Sequence, residues 1–389
     1  MNKKQFGQFF TINANYILKN LGKFVINKDI TDPFAGNGDL IKWALAHKGK
    51  KAIGYDIDKK YIDNKKIFYK DSILNKAKFN FVLTNPPYLN INKANKKIKE
   101  KYFYNFKFDD LYKISLFSIM DSKEGIAIVP INFLSSKNAE KIRKIFFSKF
   151  EIKEMNYFKQ QVFPDTTYNV IAFYYQKKKN QFSDKFIIKT HIYPDNKIYN
   201  IELAQEFGWA IGGDLNYELK KVDNKLGIHR LTEEMVKKQK GNITIKAAIG
   251  HTKEIKKVNV SNSLKEVIDN NLILLKAIDS GTENGRIALE NIKKEYDLDC
   301  LISKNSSRHM IYLIFDNSIS VKEQKKLIKI FNTHINELRE KYLSLFLTNY
   351  RDKDRKRISF NFVYKLLNYL YFNYIEEKSY NHQLALIKN

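Results

Sequence analysis

The chain has 389 residues, 43% of them apolar, which is enough for two domains of ordinary size, each with its own core. No apolar run approaches the ~20 residues of a membrane span, the N-terminus leads into no apolar export core, and one cysteine, Cys300, excludes an internal disulfide and a multi-cysteine zinc site. The single cysteine fits a reducing cytoplasm, and a net charge of +27 points to a polyanionic partner, although lysine supplies all but eight of the 69 basic residues, as an AT-rich coding sequence would.

In chain order, the segment up to about residue 175 alternates short apolar runs with amphipathic stretches, the pattern of a doubly wound α/β sheet. Strands are expected near 28–32, 51–56, 79–84, 125–129, 152–157 and 169–175. Helical spacing covers 38–48, 109–121 with Leu111, Ile114 and Phe117 inward, and 136–149 with Ile142, Ile145, Phe146 and Phe150 on one face. The last two strands have no helical pattern between them and read as an antiparallel pair closing the sheet. A composition shift at Lys177–Asn180 sets domains of 1–178 and 179–389. The second has glycine breaks at Gly212-Gly213 and Gly281–Gly285, basic clusters at 236–257 and 351–357, and helical spacing at 321–347 and 360–375, so mixed α+β content is expected.

Four expected strand ends carry polar punctuation. After the first comes Asp32-Pro33-Phe34-Ala35-Gly36-Asn37-Gly38, whose glycines permit a tight turn and close approach to a ligand. The second ends in Gly54-Tyr55-Asp56-Ile57-Asp58; Asp58 suits a helix cap, leaving Asp56 for the hydroxyls of a ribose. Asp71, in Lys70-Asp71-Ser72-Ile73-Leu74, stands where a third strand would end and could accept from an adenine amine. Three acids without a Gly-x-x-x-x-Gly-Lys loop favour a nucleoside carrying a positive group over a nucleoside triphosphate or a dinucleotide. The run Phe81-Val82-Leu83-Thr84 then stops at Asn85-Pro86-Pro87-Tyr88, where two prolines stiffen the turn and are expected to aim Tyr88 outward.

Taken together, these residues resemble the gamma class of S-adenosyl-L-methionine-dependent N6-adenine DNA methyltransferases found in bacterial restriction-modification systems. The likeness runs in order over roughly 1–176. Phe6-Gly7-Gln8-Phe9-Phe10-Thr11 resembles motif X, although Ile12 stands where the family usually has proline. Asp32–Gly38 resembles motif I, Gly54–Asp58 motif II, Asp71–Leu74 motif III, Asn85–Tyr88 motif IV, Asp110-Leu111-Tyr112 motif V and Gly125–Pro130 motif VI. Val162-Phe163-Pro164 resembles the late motif whose phenylalanine lies against the target base.

The resemblance implies a Rossmann-like class I fold with a mixed seven-stranded sheet, followed by a DNA target-recognition domain. It implies S-adenosyl-L-methionine bound by Phe10, Thr11, Asp32, Phe34, Gly36, Asp56, Ile57, Asp71, Ser72, Asn85 and Pro87. Asn85 and the Pro86 carbonyl would accept the adenine amine, and Tyr88 and Phe163 would stack on the flipped base, with no metal. The substrate would be duplex DNA with a specific adenine-containing site, and a separate restriction endonuclease would be the cognate partner. Arg286, Arg308, Arg351, Arg355 and Arg357 are candidate DNA contacts because arginine suits guanine edges and phosphates; for 351–357 a solvated loop is the alternative. Release-factor glutamine methyltransferases share Asn-Pro-Pro-Tyr, but generally place a helical domain before motif I and end soon after the sheet. An RNA adenine methyltransferase is a further alternative.

Overall fold

A computed structural model describes residues 11–163, 169–180, 182–279, 286–351 and 355–376. By their contacts the residues divide into two units, Met1–Ile211 with Arg351–Asp354, and Gly212–Tyr350 with Arg355–Asn389. The division falls later than the 178/179 boundary expected from composition. The physical reason is that the sheet of the first unit continues past the lysine run.

That sheet has nine strands: β1 (Asp29–Asp32), β2 (Lys51–Asp56), β3 (Ile67–Tyr69), β4 (Phe79–Thr84), β5 (Ser122–Pro130), β6 (Phe150–Phe158), β7 (Val170–Lys177), β8 (Lys185–Tyr193) and β9 (Lys197–Ala204). Their order is β3-β2-β1-β4-β5-β7-β6-β8-β9. Strands β3, β2, β1, β4 and β5 are parallel, while β7 runs antiparallel between β5 and β6. The seven expected strands are therefore present in a mixed α/β sheet. The antiparallel pair β6–β7 does not close it, because β6 also pairs in parallel with β8, and β8 with β9. β3 has only three residues, too few for periodicity to register.

Strand order reverses between β1 and β4, which opens a crevice at the carboxyl ends of the parallel strands, the usual ligand position in such sheets. Helix Asp39–Ala46 covers one face with Leu40, Ile41, Trp43 and Ala44. Helix Glu140–Lys149 buries Ile142, Phe146 and Phe147. Phe147 and Arg143 take inward positions expected of Ile145, which is half-buried, and Phe150 begins β6. Arg143 is tolerated inside because its guanidinium donates to the carbonyls of Phe133, Ser136 and Gly208. In helix Leu111–Ser118, Leu111 and Ile114 are buried as expected, while Phe117 is half-buried.

The second unit contains β10 (Ile228–Arg230), β11 (Ile243–Ile249), β12 (His251–Val260), β13 (Ile273–Lys276), β14 (Ala288–Asn291), β15 (Cys300–Ile302) and β16 (Met310–Phe315). They form a four-stranded sheet, β10-β16-β13-β14, and a three-stranded one, β12-β11-β15. Helix Val321–Lys341 starts at a capping box of Ser320 and Glu323 and buries Leu327, Phe331, Ile335 and Leu338. Helix Phe360–Tyr374 follows. Among the described residues no helix is long and apolar enough to cross a membrane.

Candidate active site

Asp32 ends β1, Asp56 ends β2, Asp71 follows β3 and Asn85 follows β4, so the four polar strand ends lie along one edge of the sheet. They line a shared cavity. Thr11, Asp32, Phe34, Gly36, Asp56, Ile57, Asp71, Ser72, Asn85 and Pro87 all contribute to its wall. Phe10 lies outside the described residues.

Backbone geometry explains why the loop after β1 fits here. Gly36 and Gly38 have φ of 49° and 75°, the left-handed region that side chains disfavour. Gly38 caps helix Asp39–Ala46. Gly54, in β2, lies so close beneath the loop that a Cβ there would meet the Cβ of Ala35 at 2.4 Å.

The three acids are each differently engaged. Asp32 is 1% exposed and accepts from the Phe34 N–H at 3.0 Å and the Thr84 hydroxyl at 2.8 Å. Burial pushes its carboxyl up to about 7, against those two hydrogen bonds, and the charge of Asp56 adds to the rise. Asp56 accepts from the Gly36 and Asp58 N–H groups at 2.8 Å, one on each oxygen, and so pins the turn it faces. The Ile57 N–H also contributes, and of the carboxylate's about four acceptor positions one is left for a ligand hydroxyl. Burial is also the main cause of the raised Asp56 carboxyl. Asp58 caps the turn Lys59–Tyr61, as expected.

Asp71 is the most crowded. Its Oδ1 accepts from the Ile73 and Leu74 N–H groups, each at 3.2 Å. Its Oδ2 accepts from the Tyr102 hydroxyl at 2.9 Å and the Lys101 ammonium at 2.7 Å. Tyr102 also lines the cavity, as do Asp39, Leu40, Ile73 and Leu111. Sequence reasoning missed Tyr102, which belongs to no motif; Leu111 had a signal in the motif V likeness.

At the Asn85-Pro86-Pro87-Tyr88 turn the structure corrects one expectation. Tyr88 points inward and is 8% exposed; its hydroxyl lies 2.6 Å from Asn85 Oδ1 and 2.8 Å from the Ile128 carbonyl on β5. The long-range acceptor on β5 overrides the local effect of the prolines. Burial holds the Tyr88 phenol well above its ordinary range, so it remains a donor. Its ring meets Tyr112 edge-on at 6.3 Å. Asn85 Nδ2 donates to Thr11 Oγ1 at 3.1 Å, which joins the segment before β1 to the turn after β4. Phe163 is 2% exposed, so neither ring offers a stacking face in this state.

Of the arginines, Arg286 and Arg308 are exposed, and Arg308 donates to the Asn305 and Ser307 carbonyls of its own loop. Arg355 is half-buried and donates to the Asp279 carbonyl, while Lys356 is 2% exposed, so this end of the 351–357 run is not a solvated loop. Arg357 is half-buried, and the side chain of Arg351 lies outside the described residues. No cluster of metal-ligating side chains occurs among the described residues.

The wall chemistry fits a cationic nucleoside. Four carboxylates, those of Asp32, Asp39, Asp56 and Asp71, face the cavity against one lining ammonium, Lys70. Residues 10–163 match the Eco57I restriction-modification methylase family. Over 195 residues, or 46% of this chain, the sequence is 30% identical to the type II methyltransferases M.HincII of Haemophilus influenzae and M.HindII of H. influenzae strain Rd. The alignments cover 38% and 37% of those relatives, so the chain spans well under two thirds of their length. Among solved structures, the type IIG restriction endonuclease BpuSI aligns at 10% identity with a TM-score of 0.48, over 93% of this chain and 59% of that one.

Proposed function

We propose that this protein is a site-specific DNA adenine-N6 methyltransferase that uses S-adenosyl-L-methionine, the modification enzyme of a type II restriction-modification system whose endonuclease acts separately. The observation that carries this reading is the Asn85-Pro86-Pro87-Tyr88 turn at the end of β4, on the wall of an acid-lined cavity. When bound, the cofactor supplies a sulfonium-activated methyl group as the electrophile. Asp56 holds the ribose hydroxyls, Asp71 the cofactor's adenine amine, and Thr11 and Phe34 flank the remainder.

The target amine is a poor nucleophile because its lone pair is delocalised into the ring. Asn85 Oδ1 and the Pro86 carbonyl accept its two N–H bonds and draw the nitrogen toward tetrahedral geometry, an interaction strongest as positive charge develops there. The Tyr88 hydroxyl orients the Asn85 oxygen, and Thr11 holds the other end of the same amide. A base inside a duplex cannot reach this turn, so the adenine is flipped out. Stacking by Tyr88 and Phe163 then requires that duplex binding uncover their rings. The second unit, with its exposed lysines, contacts DNA and reads the site.

The test is transfer of radiolabelled methyl from S-adenosyl-L-methionine to duplex DNA, with the product resistant to one endonuclease. Label entering only protein or only RNA would overturn the DNA assignment.

A further inference from the structure

Asp71 has no acceptor site left for a ligand. A carboxylate offers about four lone-pair positions, and four donors fill them: two backbone N–H groups that fix the turn, the Tyr102 hydroxyl and the Lys101 ammonium. An incoming amine must displace one of them. The backbone donors cannot leave without unmaking the turn. Tyr102 is 5% exposed, so packing as well as the hydrogen bond holds its hydroxyl on Asp71. Burial pushes its phenol up to about 12, which keeps it a proton donor at neutral pH. Lys101 is different: its side chain is 37% exposed and is not part of the lining, so its ammonium can exchange Asp71 for solvent at small cost. Both residues belong to the π-helical turn Lys99–Phe103, a geometry often found beside functional sites.

We propose that Lys101 is an internal competitor for the nucleoside amine at Asp71, and that Tyr102 is the positioning residue that holds the carboxylate while Lys101 is exchanged for the ligand. This rests on the methyltransferase reading of the cavity. Lys101 then sets cofactor affinity and selectivity at the purine 6-position. It competes with an amine there, but it can donate to a carbonyl.

The experiment is titration calorimetry on the full chain with S-adenosylhomocysteine and S-inosylhomocysteine, for the wild type, Lys101→Met and Tyr102→Phe. Methionine keeps the apolar stem and removes the charge. Lys101→Met is expected to bind the adenosyl ligand about two- to fivefold tighter and the inosyl ligand no tighter, so its preference for adenosyl rises. Tyr102→Phe is expected to bind the adenosyl ligand about fivefold more weakly. Adenosyl affinity unchanged or weakened in Lys101→Met, or equal tightening of both ligands, would overturn the proposal while leaving the methyltransferase reading intact. Failure of the wild type to bind either ligand would overturn that reading, and the proposal with it.

Discussion

Tyr88 has one hydroxyl proton and two acceptors within reach, Asn85 Oδ1 and the Ile128 carbonyl. A hydroxyl shared in this way orients the amide without giving up either contact, which suits a group whose oxygen must face a reacting amine. Stacking and orientation can be separated. Tyr88→Phe keeps the ring and loses the hydroxyl; if orientation matters, kcat falls about tenfold, the worth of one buried hydrogen bond, with little change in cofactor affinity. Asn85→Ala is expected to abolish transfer while cofactor binding persists. Rapid-quench turnover and calorimetry on the same preparations check both. Unchanged kcat in Tyr88→Phe would restore a purely stacking role.

Asp32 makes a second residue-scale prediction. Its folded carboxyl sits near 7, above its ordinary value of 3.8, because burial penalises the charged form. The folded state therefore binds the proton more tightly, and stability attributable to Asp32 is lost as pH rises from about 4 through 7. Attraction for a cationic ligand runs the other way and grows across pH 7 as the carboxylate forms. In Asp32→Asn, melting temperature should depend less on pH between 4 and 8, and the rise in cofactor affinity across pH 7 should disappear. Some slope in stability will persist, since burial also raises Asp110 to about 6.

At the scale of elements, the basic cluster at 236–257 becomes the turn after helix Glu233–Lys238 and the antiparallel ribbon β11–β12. Between residues 236 and 260 the sequence has seven lysines and one glutamate. Lys246 stands directly opposite Lys257 in the register, a pairing that costs stability when both are charged. Lys253, Lys256 and Lys257 are exposed on β12, an edge strand. A two-stranded ribbon fits the major groove of DNA. Lys253→Gln with Lys257→Gln should weaken binding to cognate and unrelated duplexes alike, and lower the slope of log affinity against log salt by about one per lysine. An unchanged slope would mean that these lysines serve only to block strand pairing at the edge.

For the whole molecule, what was legible in the sequence follows the range of the forces involved. Asp32, Asp56, Asp71 and Asn85 could be read because each punctuates the end of an apolar run, a local signal. Tyr102 could not, being one of 24 tyrosines and brought to Asp71 by a helical turn outside any motif. The inward Tyr88 was hidden for a similar reason, since its acceptor on β5 lies 40 positions along the chain. β8 and β9 escaped because the lysine run before them resembles a linker, while β8 alternates exposed and buried residues on a sheet it extends. The likeness to known methyltransferases covers less than half of the chain, and the second unit is where composition speaks least clearly.

The position of β7 has a kinetic consequence. β6 is synthesised first, yet β7 is the strand that lies between it and β5. During synthesis β5 therefore presents an unpaired edge until residue 177 has left the ribosome, and β6 cannot join the sheet without β7. An apolar strand left waiting in this way is open to pairing with another nascent chain. Tyr88 of the Asn85-Pro86-Pro87-Tyr88 turn leans on this same β5.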